Sequence, residues 1–279
     1  MAQQKIWLIT GVSSGFGRCF VEEVVRQGDF VIGTLRKEEQ IKEFNAAFAG
    51  KAKAIRMDVN KPQEIEAGVA HVLKEHGRID VLVNNAGYGL FGAIEEVSAE
   101  EVRAQMETNF FGALALTQAV LPAMRKQKNG HIIQISSIAG FRATAGLGIY
   151  NASKFALEGF SEALALEVAA MGIKVMIVEP GPFRTKWAGA SAVIAKKKID
   201  VYADTAHATR KMIEGYDGSQ PGDPVKAIEL ILKAMGSSHA PLRLPLGKMA
   251  IDRMRGKIED LQKEVDAWEA KSLATAFAA

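Results

Sequence analysis

Tyr150 and Lys154 stand four residues apart, a spacing that puts both side chains on one face of a helix. A phenol with an ordinary pKa of about 10 exchanges protons poorly at neutral pH. An ammonium beside it favours the phenolate and lowers that value, which would make the tyrosine a usable acid and base. Taken alone, the pair reads first as a surface tyrosine stacked on a lysine stem. Its weight comes from the residues around it.

The second chemical feature is Thr-Gly-Val-Ser-Ser-Gly-Phe-Gly at residues 10–17. The spacing of its glycines is G-x-x-x-G-x-G rather than the more general G-x-G-x-x-G. Gly11 would permit a tight turn, Gly15 a close approach of bare backbone to a pyrophosphate, and Gly17 close packing of helix on strand. Ser13, Ser14 and Phe16 complete the turn, and the N-terminus of a following helix would offer N–H donors and positive dipole to phosphate. About 20 residues beyond such a turn, an acidic residue commonly holds the adenosine ribose, whereas an arginine accommodates a 2′-phosphate. Here the sequence is Gly33-Thr34-Leu35-Arg36-Lys37, with no carboxylate before Glu38. The planar, permanently charged Arg36 favours NADP(H), with NAD(H) still open.

These groups need a scaffold to position them. Short apolar runs at 5–10, 30–35, 53–57, 80–84, 131–136 and 174–179 read as strands. Helical periodicity falls near 15–27, 37–48, 62–76, 98–127 and 150–171, with a further helix near 224–236. Continuously apolar strands such as Val175-Met176-Ile177-Val178 imply a sheet covered on both faces. The expected fold is α/β, a doubly wound parallel sheet of Rossmann type, in a single domain. The dinucleotide-binding and catalytic domain is placed at 1–244, with 183–224 as a substrate-covering loop and 245–279 as a helical extension packed on the domain.

In this order the stations resemble the short-chain dehydrogenase/reductase family over approximately residues 5–190. They are the turn at 10–17, Asp58-Val59, Asn84-Asn85-Ala86-Gly87, Asn109, Ser136-Ser137, Tyr150 with Lys154, and Pro180-Gly181. The resemblance implies that Tyr150 donates a proton to a substrate carbonyl oxygen while hydride arrives from a nicotinamide. Lys154 would lower the tyrosine pKa and bind the nicotinamide ribose. Ser137, thirteen positions before Tyr150, is the choice for orienting the carbonyl, with Ser136 as the substitute. Asn109 would hold a water that links Lys154 to solvent. Asp58 would meet the adenine amino group. Asn85, Ala86 and Gly87 would line the adenosine side, while Pro180, Gly181 and Phe183 would shape the nicotinamide end, with Thr185 reaching the carboxamide. The implied activity interconverts a ketone or aldehyde and its alcohol. The alternative is an NADP(H)-binding sensor or interaction protein without turnover. Many family members close with a last strand and a glycine-rich tail that builds a tetramer. This chain instead reads Pro241-Leu242-Arg243-Leu244-Pro245 and then a long amphipathic helix, which departs from the tetramer pattern and leaves a homodimer through the helices at 98–127 and 150–171, or a monomer, as the alternatives.

The remaining features are bland. Thirty-five basic and 32 acidic residues in 279 give a formal charge of +3, with no basic block suited to nucleic acid. The single Cys19 cannot form an internal disulfide, the five histidines have no metal-ligand spacing, and the run at 6–9 is too short for a signal or a membrane span. A cytoplasmic location follows as the default. Tyr88, Leu90, Phe91, Phe141, Leu147, Phe183 and Trp187 are expected to face a small apolar carbonyl or alcohol. In the last helix Ile251, Met254, Ile258, Leu261, Val265 and Trp268 recur at spacings of three and four. That stripe is expected to pack on its own subunit, a second subunit being the alternative; the heptads are too few for a true coiled coil.

Overall fold

Alternation along the first strand shows how the chain is layered. In β1 (Ile6–Thr10), Trp7 and Ile9 join one apolar cluster while Ile6 and Leu8 join another on the opposite side of the sheet. All five residues are buried, as a strand covered on both faces requires. The computed structural model describes residues 4–189 and 191–277.

The sheet has seven parallel strands in the order β3 (Ala52–Arg56), β2 (Phe30–Leu35), β1, β4 (Val81–Asn84), β6 (Gly130–Ile135), β7 (Ile173–Pro180) and β9 (Arg243–Leu246). Helix α1 (Gly15–Arg26) and α8 (Pro224–Met235) contribute to the first cluster, and α3 (Pro62–His76), α5 (Gly112–Gln127) and α6 (Gly148–Val168) to the second. Helix α2 (Glu38–Ala47) adds Phe44 to the first. The winding reverses between β1 and β4, so the crevice at the carboxyl ends of these strands is where a doubly wound sheet takes its ligand. The Rossmann-type fold is that expected from the sequence.

Three details differ from the expectations. The last strand is present: β9 pairs in parallel with β7, Pro245 lying opposite Glu179. A proline without an N–H is tolerated there because β9 is the edge of the sheet. The helix expected at 98–127 is broken into α4 (Ala99–Met106), a π-turn at Glu107–Phe111, and α5. The covering segment is not structureless. It carries β8 (Ala192–Ile194), paired in parallel with β5 (Gly89–Phe91), and α7 (Ala208–Gly215). Glu96, buried to 3% exposure, accepts from the backbone N–H of Ile199 and bonds His207 at 2.7 Å, which fixes the middle of this segment to the body.

Helix α9 (Lys248–Leu273) docks by polar groups rather than by its apolar stripe. Arg253 donates to the carbonyls of Arg142 and Ala143, Lys257 to that of Phe141, and Asp260 pairs with Arg142. No described helix is long and apolar enough to cross a membrane, and no described cluster of His, Cys, Asp and Glu could hold a metal ion.

Candidate active site

The glycine turn is held against the neighbouring strand by side-chain amide bonds. Gly11 and Gly15 have φ of +70° and +55°, values that favour glycine. The Asn85 amide donates to the carbonyl oxygens of Thr10 and Gly11 at 2.8 and 3.1 Å, and the Thr10 hydroxyl accepts from the backbone N–H of Asn85 and Ala86. A Cβ on Gly17 would stand 2.3 Å from the Gly11 oxygen and 2.6 Å from the Asn85 amide nitrogen, so helix and turn approach too closely for any other residue. A Cβ on Gly15 would reach Thr185 at 3.4 Å, which places Thr185 over the turn.

Above the turn, α1 begins at Ser14, whose side chain makes no capping bond, and no acidic residue lies in the first helical turn. Its first N–H groups and the positive end of its dipole are therefore available to an anion. Ser13 and Arg36 are exposed at the same end of the sheet, and no ion pair of Arg36 occurs among the described residues. Asp58 is half-buried and accepts from the Asn60 N–H, and Val59 is buried against Gly112. Phe183 meets Phe16 edge-on at 5.2 Å, and the Gly181 N–H bonds the Leu246 oxygen. These contacts fit a dinucleotide lying across the switch point: a cradle that side chains would fill, an uncapped helix end and a free cation.

The acid–base group lies beside the cradle. Asn109 comes from the π-turn, a geometry that redirects side chains inside a helix. Its amide donates to the Tyr88 oxygen and the Ser153 hydroxyl, and its oxygen accepts from the Tyr88 N–H. That oxygen would lie 3.1 Å from a Cβ on Gly87, and Lys154 Nζ 3.6 Å, so Asn109, Gly87 and Lys154 converge. Lys154 Nζ donates to the Ile135 carbonyl at 2.8 Å and stands 6.0 Å from the centre of the Tyr150 ring.

Of the two serines, Ser136 gives its hydroxyl to buried Glu158 at 2.6 Å, away from the tyrosine. The Ser137 hydroxyl accepts from the Ala139 N–H and is the group that pulls the Tyr150 pKa downward. Burial outweighs that pull, and Tyr150 is pushed up to about 12. The expected depression of the tyrosine by Lys154 is thus absent in the protein alone. Burial instead pushes Lys154 down to about 8, with the Glu158 carboxylate acting in the opposite direction.

Apolar residues close over the phenol. Phe91, Ala139, Leu147 and Tyr150 form one cluster with Trp187, Ala192 and Ile213. The Trp187 ring lies 5.2 Å from Tyr150 and 5.5 Å from Phe91. Among the residues expected to face substrate, Phe91, Leu147 and Trp187 meet here. Leu90 is buried, and Tyr88 serves Asn109 through its backbone. Phe183 packs on the cofactor side, and Phe141 lies beneath the cations of Arg243 and Lys257. Ile213 and Ala192 carried no signal in the sequence, because only the folding of 183–224 brings them to Tyr150.

A partly buried ion network backs the site. Arg243 of β9 bonds Glu158, Glu162 and Glu179, and Glu179, fully buried, is pushed up to about 7 by desolvation and by the neighbouring Glu158 charge. The network joins the helix that carries Tyr150 and Lys154 to the sheet edge.

The profile of the short chain dehydrogenase family matches residues 5–193. The chain belongs to that family. It is similar to a 3-ketodihydrosphingosine reductase of Bacteroides thetaiotaomicron, 41% identical over 249 residues that cover 88% of this chain and 89% of that one. The crystal structure of a short-chain dehydrogenase from Streptomyces avermitilis superposes with a TM-score of 0.93 at 44% identity, covering 99% and 100% of the two chains. An actinorhodin polyketide ketoreductase solved with NADPH gives a TM-score of 0.73 at 31% identity over 88% of this chain and 97% of that one. The protein is an oxidoreductase of the short-chain dehydrogenase type.

Proposed function

We propose that the protein is an NADP(H)-dependent reductase of a ketone or aldehyde, reversible as an alcohol dehydrogenase. The convergence of Tyr150, Ser137, Lys154 and Asn109 beside the glycine cradle carries this reading. Residues 11–17, Arg36, Asp58, Asn85 to Gly87 and Pro180 to Thr185 would hold the dinucleotide, which would supply or accept the hydride.

The chain's own part is to orient a carbonyl and deliver a proton to its oxygen. Ser137 donates to that oxygen and fixes its position. The Tyr150 phenol, pushed up to about 12 by burial, is protonated at neutral pH but a weaker acid than a free tyrosine, so proton delivery requires the phenolate to be stabilised. Lys154, as a cation, stabilises the phenolate left behind. Asn109, fixed by three bonds, holds the polar route from Lys154 toward Gly87. Trp187, Phe91 and Leu147 exclude water and favour an apolar substrate. Reduction of a ketone by the Bacteroides relative supports the direction, and the NADPH of the polyketide ketoreductase supports the cofactor.

Cofactor selection is tested by Arg36→Asp. Losing the guanidinium and placing a carboxylate near a 2′-phosphate is expected to weaken NADP(H) by about 100-fold, roughly 2.7 kcal/mol, against less than about threefold for NAD(H). Titration of both cofactors by fluorescence reads the ratio, and equal losses would remove Arg36 from the assignment.

A further inference from the structure

We propose that α9 is a homodimerisation arm, pairing antiparallel with the α9 of a second copy of this chain. The helix shows two separate faces. The first docks to the body through Ala250, Arg253, Gly256, Lys257 and Asp260. The second carries Ile251, Met254, Ile258, Leu261, Val265 and Trp268, alternating at three and four residues over almost three heptads. This seam is open: Ile258, Leu261, Val265 and Trp268 are 53, 45, 59 and 60% exposed, and Ile251, on the docked half, is 37% exposed. From Ile258 to Phe277 every residue is exposed, with Asp260 still reaching back to Arg142.

Charge selects the occupant. The helix carries six basic and six acidic side chains, Lys248, Arg253, Arg255, Lys257, Lys263 and Lys271 against Asp252, Glu259, Asp260, Glu264, Asp266 and Glu269. That balance gives an anionic lipid surface no net attraction. It suits another helix of the same kind. With Ile251, Ile258 and Val265 at the a positions and Met254, Leu261 and Trp268 at d, the flanking positions set orientation. In the parallel arrangement Glu264 faces the partner's Glu269, a like-charge pair occurring twice. In the antiparallel register that buries all six seam residues, Ile258 meets the partner's Leu261, Met254 the partner's Val265, and Ile251 the partner's Trp268. That same register sets Lys248 against the partner's Glu269 twice and Arg255 against the partner's Gln262, and brings Glu264 beside the partner's Lys257, whose ammonium is held by its own Phe141 carbonyl. No like charges oppose.

Three heptads are short for an isolated coiled coil, because forming the helix costs a nucleation step. Here the helix is already formed, anchored along its first half by Arg253, Lys257 and Asp260. Pairing therefore orders little new backbone.

Sedimentation velocity of the full chain between about 1 and 100 µM tests this. The expected species has twice the 30.1 kDa chain mass. Leu261→Asp is expected to return it to one chain mass with unchanged helical circular dichroism. Because a monomer could also arise from damage to the helix, a charge-swap set gives an independent reading. Lys248→Glu and Glu269→Lys each create two like-charge contacts and are expected to weaken the dimer by about tenfold, while the two together restore it to within about threefold. A wild-type monomer at every concentration would overturn the proposal. So would a dimer insensitive to Leu261→Asp, which would place the contact on another face, or a monomer that instead co-sediments with anionic phosphatidylserine vesicles.

Discussion

The charge on Lys154 should be set by Glu158, and removing that carboxylate should move it. Glu158 follows Lys154 by one helical turn, is 3% exposed, and is the group that raises the lysine against desolvation. Side chains at this spacing are roughly 6 Å apart, and at an effective dielectric of about 20 a unit pair attracts by about 3 kcal/mol, or about two pKa units. Arg243 bonds the same carboxylate and cancels part of that field. The net expectation for Glu158→Gln is a fall of about one unit, carrying Lys154 from about 8 to about 7. The amide oxygen can accept from Arg243 while its NH2 donates to the Ser136 hydroxyl oxygen, so both contacts can be kept. The assay is a 13C NMR titration of the Lys154 Cε, assigned by its absence in Lys154→Arg. On the proposed mechanism protonated Lys154 assists proton release from Tyr150, so the alkaline limb of the reductive kcat/KM should fall through the same values. A lysine titration that stays near 8 or rises in Glu158→Gln would refute the argument.

Two further outcomes follow from the geometry. Gly17→Ala places a methyl 2.3 Å from the Gly11 oxygen, and displacing the turn should cost about 1–3 kcal/mol in urea unfolding and weaken cofactor binding at least about tenfold; unchanged binding would contradict the cradle. His131 on β6 is half-buried, its buried Nε2 has no partner among the described residues, and its pKa is pushed down to about 4 by desolvation. The unfolded chain takes up that proton below about 6.5 and the folded protein does not, so stability is full above 6.5 and declines by about 2–3 kcal/mol as pH falls toward 4. His131→Leu should flatten that decline, and an unaltered pH dependence of unfolding would show that other groups govern it.

The sheet was legible because its strands are continuous apolar runs between turn residues, and the glycine turn because positive φ at Gly11 and Gly15 and the lack of room for a Cβ at Gly17 call for glycine. What stayed hidden depended on tertiary context. Pro245 hides β9 from a pattern reading, yet an edge strand accepts it because its missing N–H faces outward. The π-turn that presents Asn109 has the same apolar period as the helix around it. Glu96 and His207 are 111 residues apart and carry no local mark of their pairing. The choice between Ser136 and Ser137 was legible only as a spacing until Glu158, a helix away, took the Ser136 hydroxyl. Likewise the phenol pKa cannot be read from a lysine four residues away, since burial of both groups governs it.

The central claim is that Tyr150 delivers the proton for carbonyl reduction. Its most direct test follows NADPH absorbance over a panel of ketones and aldehydes with wild type and Tyr150→Phe, with NADPH affinity measured in parallel. The account expects wild-type turnover of at least one apolar carbonyl, a loss of about 100-fold or more in kcat for the phenylalanine variant, and NADPH binding within about threefold. Undiminished turnover in Tyr150→Phe, or tight NADPH binding by a wild type that turns over no carbonyl in the panel, would contradict it.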